Sequence, residues 1–314
     1  MSRYAQQPLS FEGLKTVSLQ ARGGKVRVEH FAKPYSGGGV SALLDSLPHI
    51  LAADSLRSVI DALVAARARK KMILWGLGGH VIKCGLAPIL IDLMRRGYAG
   101  GFVLNGAAAI HDFEIALAGH TSEDVEAVLP DGSFGAAEET GREFNAALNC
   151  EPGFGESLGK HLEKIADPRF ACSSLLCETY RSSTPVTVHV AIGTDTPHTH
   201  PAAKGDALGR ATHHDFRLLC SLVKEINDGG VYLNVGSAVV LPEVFLKAVS
   251  VVRNLGHPLA DFTTVNFDFL QHYRPKVNVV ERPHARSGGH GYSITGHHEI
   301  MIPLLAAALI ERSA

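Results

Sequence analysis

The polarity pattern changes character near residue 71. Before it, residues 41–68 carry Leu43, Leu44, Leu47, Leu56, Ile60, Leu63 and Val64 at mostly helical spacing, which predicts a helix with one apolar face. Arg67 to Lys71 place positive charge at its end, where the helix dipole favours it. Gly37-Gly38-Gly39 is a flexible break ahead of it. From Lys71 onward, short apolar runs of the kind buried in parallel sheets alternate with helical stretches. The runs are 72–75, 101–104, 186–192, 231–235, 262–265 and, more weakly, 291–294. The helical patterns lie near 80–96, 107–118, 210–227, 241–255 and 297–312. The first of these is apolar almost all round and reads as buried, with Pro88 breaking or kinking it. This alternation predicts an α/β protein with a doubly wound, mostly parallel sheet.

Residues 119–185 interrupt the rhythm. They hold no convincing strand and read as helices near 135–148, 155–166 and 170–181, joined by turns at Pro130-Asp131-Gly132 and Pro152-Gly153. The expected organisation is an N-terminal helical extension (1–70) packed on an α/β domain (71–314). Residues 119–185 form a helical insertion in that domain.

Composition narrows the function classes. The chain has 314 residues, 46% hydrophobic and 19% charged, ordinary values for a soluble globular protein. Thirty basic against 31 acidic residues give a net charge of −1, which argues against nucleic acid as a partner. No basic, apolar leader opens the chain and no apolar run reaches membrane-spanning length, so a soluble cytoplasmic protein is expected. Cys84, Cys150, Cys172, Cys177 and Cys220 form no CxxC pair and mostly sit among apolar neighbours. They are expected to be buried, inert thiols rather than a disulfide framework.

The 32 glycines and 17 histidines gain meaning when set on the strands. Ligands of open α/β sheets bind at the carboxyl ends of the strands. Those ends carry Gly76-Leu77-Gly78-Gly79-His80, Asn105-Gly106 with His111-Asp112, Asp195 with His198-Thr199-His200, Gly236-Ser237, Asn266-Phe267-Asp268, and Gly296-His297-His298-Glu299. A Gly-rich turn from strand into helix lets backbone N–H groups face a phosphate. Here the full GxGxxG spacing is missing, no clear acidic ribose ligand follows about twenty residues on, and close helix–strand packing explains the glycines equally well. His198 and His200 fall on one side of an extended segment near Asp195. With His297 or His298 they would suit zinc, nickel or manganese. His111 reads as a general base or ligand contact, and Asp112 as a cap of the helix beside it. His213 and His214 read as surface residues. No nucleophile elbow, HExxH, Walker or zinc-deaminase pattern is present.

Taken together, the strand-end segments resemble deoxyhypusine synthase from about Met72 to the C-terminus. The resemblance lies in the 72–75 strand with Gly78-Gly79-His80 and Gly85, and in Val103-Leu104-Asn105-Gly106-Ala107 with His111-Asp112. It continues in Asp215 followed by Gly230 to Ser237, and in Tyr292 to Leu305. It implies a Rossmann-type fold, bound NAD, and a homo-oligomer (dimer or tetramer) with sites between subunits. That family removes hydride from spermidine and transfers the aminobutyl group to a lysine. Its Ser-Trp-Gly-Lys is replaced here by Tyr273-Arg274-Pro275-Lys276-Val277, its Lys-His-His by Val240-Leu241-Pro242-Glu243, and its Asp-Ala by Gly296-His297. An imine-forming transfer needs an amine nucleophile, so a related enzyme with changed chemistry is expected.

The leading expectation is an NAD-binding enzyme acting on a small, amine-bearing substrate. Gly78, Gly79, Asn105, Gly106, Gly236 and Ser237 would line the nucleotide, with Asp215 as a polar anchor. His111, His198, His200 and His297 would move protons or touch substrate. The alternatives are a metal-dependent hydrolase or lyase using Asp195, His198, His200 and His298, and a non-catalytic ligand-binding protein.

Overall fold

All six apolar runs form strands, and all six strands are parallel. The computed structural model describes residues 3–148 and 153–312, so Cys150 and Pro152 lie outside the described residues. In chain order the elements are α1 (Gly39–Ser46), α2 (Leu51–Ala68), β1 (Ile73–Leu77), α3 (Gly79–Lys83), α4 (Ala87–Arg95), β2 (Gly101–Asn105) and α5 (Gly106–Ala118). Then come α6 (Val125–Val128), α7 (Glu138–Ala147), α8 (Phe154–Ile165), α9 (Leu175–Arg181), β3 (Val186–His189), α10 (Gly205–Lys224), β4 (Val231–Val235) and α11 (Val240–Asn254). The chain closes with β5 (Thr263–Asp268), α12 (Tyr273–Pro275), a π-helical turn (Lys276–Glu281), β6 (His290–Thr295) and α13 (His298–Glu311).

The strand order is β3-β2-β1-β4-β5-β6, the doubly wound arrangement in which the chain reverses direction between β1 and β4. Strand residues alternate between two cores, as a period of two requires. Trp75, Leu77, Phe102, Leu104, Leu233 and Val235 join the core that includes residues of α2, α4, α5 and α13. Leu74, Val103 and Tyr232 join the core under α11 and the C-terminal half of α10.

Several boundaries differ from the sequence reading, each for a local reason. The 41–68 helix is two helices, parted around Pro48. The 80–96 helix breaks at Gly85 (φ 73°), not at Pro88. Pro88 lies in the first turn of α4, where a missing N–H is harmless. β3 stops at His189 because its one neighbour, β2, ends at Asn105, the residue paired with it; Ile192 beyond it is 70% exposed. Residues 3–38 hold a single 3-10 turn, Val28–His30, and none of them is buried. Of the described thiols only Cys177 is buried, which pushes it up to about 11; Cys172 is exposed and Cys84 and Cys220 are half-buried. The expectation of buried thiols therefore holds for Cys177 and is corrected for Cys84, Cys172 and Cys220.

The insertion contributes to the main core. Phe144, Phe154, Leu158, Leu162, Leu175 and Leu176 are all buried there. Two buried aspartates fasten it. Asp112 on α5 accepts hydrogen bonds from Ser174 Oγ (2.6 Å), Leu175 N (2.7 Å) and Leu176 N (2.8 Å), at the start of α9. Asp215 on α10 accepts from Phe154 N (3.0 Å) and Gly155 N (2.9 Å) at the start of α8, and from Val188 N (2.7 Å) in β3. Each carboxylate meets the unpaired N–H groups of a helix N-terminus. Among the described residues, no helix is long and apolar enough to cross a membrane.

Candidate functional site

The carboxyl edge of the sheet divides into two regions. At the end of β1, Gly78 N donates to Val235 O (2.9 Å), so β1 and β4 stay in contact beyond the ladder. A Cβ on Gly78 would fall 1.9 Å from Gly236 O, and one on Gly236 2.9 Å from His298 Cε1. A Cβ on Gly79 would meet Ala107 at 2.9 Å, and one on Gly106 would lie 2.2 Å from an Asp195 oxygen. The protein's own atoms therefore fill the space that these glycines leave. Their role is to let the strand ends and helix starts approach one another.

The polar residues expected to line a nucleotide are similarly engaged. Asn105 Oδ1 accepts from Ala108 N (2.9 Å) and caps α5. Ser237 is buried and its Oγ accepts from Leu241 N at 3.3 Å. Asp215 is 1% exposed and holds the insertion as described, so its placement on the cofactor side is corrected. Asp112 caps α9 rather than its own helix.

Two buried acceptors beside the Gly236 turn have no partner: Asn234 Oδ1 and His298 Nδ1. Their orientations are fixed by neighbours. Gln271 Nε2 donates to Ile294 O (3.1 Å), Asn266 Nδ2 to Gln271 Oε1 (2.7 Å), and Asn234 Nδ2 to Asn266 Oδ1 (2.7 Å) and Ser237 O (2.9 Å). Both hydrogens of the Asn234 amide are thus used, leaving only its oxygen. His298 Nε2 lies 3.2 Å from Phe267 O; it donates there, which leaves Nδ1 as a lone-pair acceptor. A buried unpaired acceptor is costly, so an O–H or N–H group placed beside the Gly236 turn would relieve both.

The second region is a cavity of about 950 Å³ lined by α5, the 119–143 segment and the 194–196 loop. It reaches the sheet edge at Ala107 and Asp195 and includes Lys83 and His111. His111 Nδ1 lies 2.8 Å from Thr121 Oγ1, and Thr121 donates its only proton to Glu114 Oε2. Thr140 Oγ1 donates to Glu114 Oε1 at 3.0 Å. Thr121 must therefore accept from His111 Nδ1–H, which leaves Nε2 with the free lone pair. Burial, with the Lys83 cation second, lowers His111 to about 4, so the ring is neutral at neutral pH. Its Cδ2, bonded to Nε2, lies 3.2 Å from the Cβ position over Gly79. His111 thus stands between the cavity and the β1 turn. Asp195, 9% exposed, accepts from Ala191 N (2.9 Å), and burial raises its carboxyl.

The histidines expected to form one site do not gather. His198 stands half-buried beside Asp195, and burial lowers its affinity for a proton. His200 Nε2 reaches Glu138 on α7 (3.2 Å). His297 is on the other side, stacked on Phe269 with centroids 5.8 Å apart. Asp195, His198, His200 and His298 therefore do not form the expected metal site. Among the described residues, the one group of three placed to share an ion is His80, Cys84 and Glu299. Lys276 is exposed on the π-helical turn; the lysine in the cavity is Lys83. Sequence reading missed Lys83, Glu114 and Thr121. The i,i+3 spacing of His111 and Glu114 was the one available signal.

No protein-family model matches the chain, and no curated protein matches it in sequence. Solved structures do match in fold. A "conserved putative LOR/SDH protein" from Methanococcus maripaludis S2 superposes with a TM-score of 0.53 at 14% identity, over 84% of this chain and 71% of that one. AgrE in its ternary complex with ornithine and NAD+ gives 0.54 at 15% identity, over 82% of this chain. This chain spans about a third of AgrE (33%). A "putative deoxyhypusine synthase" from Entamoeba histolytica gives 0.50 at 10% identity, over 88% and 94% of the two chains. At these identities the likeness is one of fold, the class the sequence pattern indicated: a doubly wound, all-parallel α/β protein.

Proposed function

We propose that the chain is an NAD-binding enzyme that removes a proton and a hydride from a small substrate. The observation that carries this reading is the position of His111. It is a neutral imidazole of fixed tautomer, with one face on the cavity and one edge over the β1 turn. The dinucleotide would lie across the strand ends at the β1/β4 crossing point, over the closely packed turns at Gly78–Gly79 and Gly236–Ser237. Asn234 Oδ1 and His298 Nδ1 would there accept hydrogen bonds from its hydroxyl or amide groups. Bound there, NAD supplies a hydride acceptor. The fold neighbour solved with ornithine and NAD+ supports this choice of cofactor.

Lys83 lines the cavity and would hold a substrate carboxylate. His111 Nε2 would take a proton from the substrate's amine or hydroxyl group. The imidazolium charge that forms would be stabilised through Thr121 by Glu114, much as an orienting carboxylate serves other catalytic histidines. Lys276, the lysine in the stretch that would carry an imine-forming residue, is exposed on the π-helical turn and does not line the cavity, so transfer to a protein lysine is not part of this proposal.

The test combines binding and turnover. NAD at about 100 times its dissociation constant should add roughly 2.7 kcal/mol of stability, visible as a higher melting temperature. Small amino and hydroxy acids and polyamines are then screened for formation of reduced nicotinamide. His111→Asn should keep the melting shift and lose most of the turnover. Absence of any shift at millimolar NAD rejects the cofactor, and full turnover in His111→Asn rejects the base.

A further inference from the structure

We infer that His80, Cys84 and Glu299 form a binding site for a zinc-like divalent cation at the carboxyl edge of the sheet. One atom from each residue lies within 4.8 Å of the other two. His80 Nε2 is 3.3 Å from Cys84 Sγ, and Cys84 Sγ is 3.7 Å from Glu299 Oε2. Metal–ligand lengths of about 2.0–2.3 Å at a tetrahedral centre put neighbouring nitrogen, sulfur and oxygen ligands roughly 3.4–3.6 Å apart. The two separations at Cys84 Sγ bracket that figure, and the third pair, within 4.8 Å, needs at most a modest inward turn of the two exposed side chains.

The fold explains the convergence. His80 and Cys84 are four residues apart at the two ends of α3, and so share a face. Gly85, with φ 73°, stops the helix directly after Cys84. Glu299 arrives from elsewhere, in the first turn of α13. A thiolate, a carboxylate and a neutral imidazole together carry two negative charges, which favours a dication. The sulfur selects a borderline-soft ion over magnesium or calcium.

The surroundings resemble the outer shell of a metal site. Phe269 packs edge-on against His80 (centroids 6.1 Å apart) and stacks on His297. His297 Nδ1 lies 3.9 Å from Glu299 Oε1, within ion-pair range of that carboxylate. His80 and Glu299 are exposed and Cys84 is half-buried, so an ion can enter. Three protein ligands leave a fourth position for water or for a ligand in the neighbouring crevice, the pattern of open rather than structural zinc sites.

The experiment uses full-length, tag-free protein, stripped with a chelator and dialysed against Zn2+ or Co2+. The expected result is about one ion per chain by elemental analysis, with a thiolate-to-cobalt charge-transfer band for the Co2+ form. Cys84→Ser should abolish the band, and Glu299→Gln should weaken Zn2+ binding by at least ~10-fold. His257→Gln, which changes an exposed imidazole elsewhere, should bind as the parent does. Circular dichroism establishes that each variant is folded. Sub-stoichiometric binding, absence of the band, or binding unchanged in folded Cys84→Ser and Glu299→Gln would overturn the inference. Metal uptake is read without NAD, so its outcome is separate from that of the cofactor proposal.

Discussion

Replacing Asp215 by alanine tests the way the insertion is held. Its carboxylate is 1% exposed and accepts from three backbone N–H groups, those of Phe154, Gly155 and Val188. Truncation leaves all three without an acceptor. A buried donor left unsatisfied costs roughly 1–3 kcal/mol. Water admitted at the start of α8 would recover part of this for Phe154 and Gly155, and removal of a carboxyl raised by burial to about 6 recovers some more. The expected net loss is roughly 3–5 kcal/mol, at the upper end for one substitution. Domains of ~150–250 residues lose about 2–4 °C per kcal/mol, and longer chains less, so melting should fall by at least about 5 °C. Differential scanning calorimetry measures it. Limited proteolysis should also show faster cleavage within residues 119–185 than elsewhere. A loss below about 1 kcal/mol with unchanged proteolysis would refute the assignment of Asp215 as the fastening group.

Three further outcomes are expected. Burial raises Asp112 to about 6, so the folded state binds more protons than the unfolded one between pH ~4 and ~6. The stability this contributes is complete below the unfolded value and is lost as pH rises through ~6, roughly 3 kcal/mol in all. The stability difference between the parent and Asp112→Asn should shrink by most of that amount, about 2.4 kcal/mol, from pH ~4 to ~7 in denaturant titrations; a constant difference would count against the raised value. Gly78→Ala sets a Cβ against the Gly236 backbone and should cost about 3 kcal/mol or more. Gly85→Ala meets nothing within 4 Å and should cost only about 1 kcal/mol for its positive φ; equal losses would contradict the packing role of Gly78. Glu311 accepts from Val40 N (3.0 Å) and Ser41 N (2.7 Å) at the start of α1. Glu311→Ala should cost about 1 kcal/mol and speed amide exchange at those two residues, and unchanged exchange would show that the cap is idle.

The sheet was legible because buried parallel strands are apolar on both faces, and β1, β2 and β4 are buried along nearly their whole length. β6 read weakly because only one of its six residues, Ile294, is buried. The candidate site was legible only in outline. His111 lines the cavity, but Thr121 and Glu114 define its tautomer through contacts that no spacing rule announces. The strand-end glycines suggested a phosphate cradle, whereas Gly236 O, Ala107 and Asp195 fill the spaces beside them. Whether a polar strand-end residue faces ligand or scaffold depends on what packs behind it. For Asp215 and Ser237 that information sits in distant helices. The histidines fall into two groups because β2 and β6 end on opposite sides of the β1/β4 crossing point.

The connection from β2 to β3 is 80 residues long (106–185), against 23 (78–100) from β1 to β2. Loop-closure entropy grows only as the logarithm of length, so the longer span costs about 1 kcal/mol more. One hydrogen bond to Asp112 or Asp215 is enough to offset that. Closing a longer connection over the cavity is therefore nearly neutral for folding, and chain length in this segment can change while the sheet beneath stays the same.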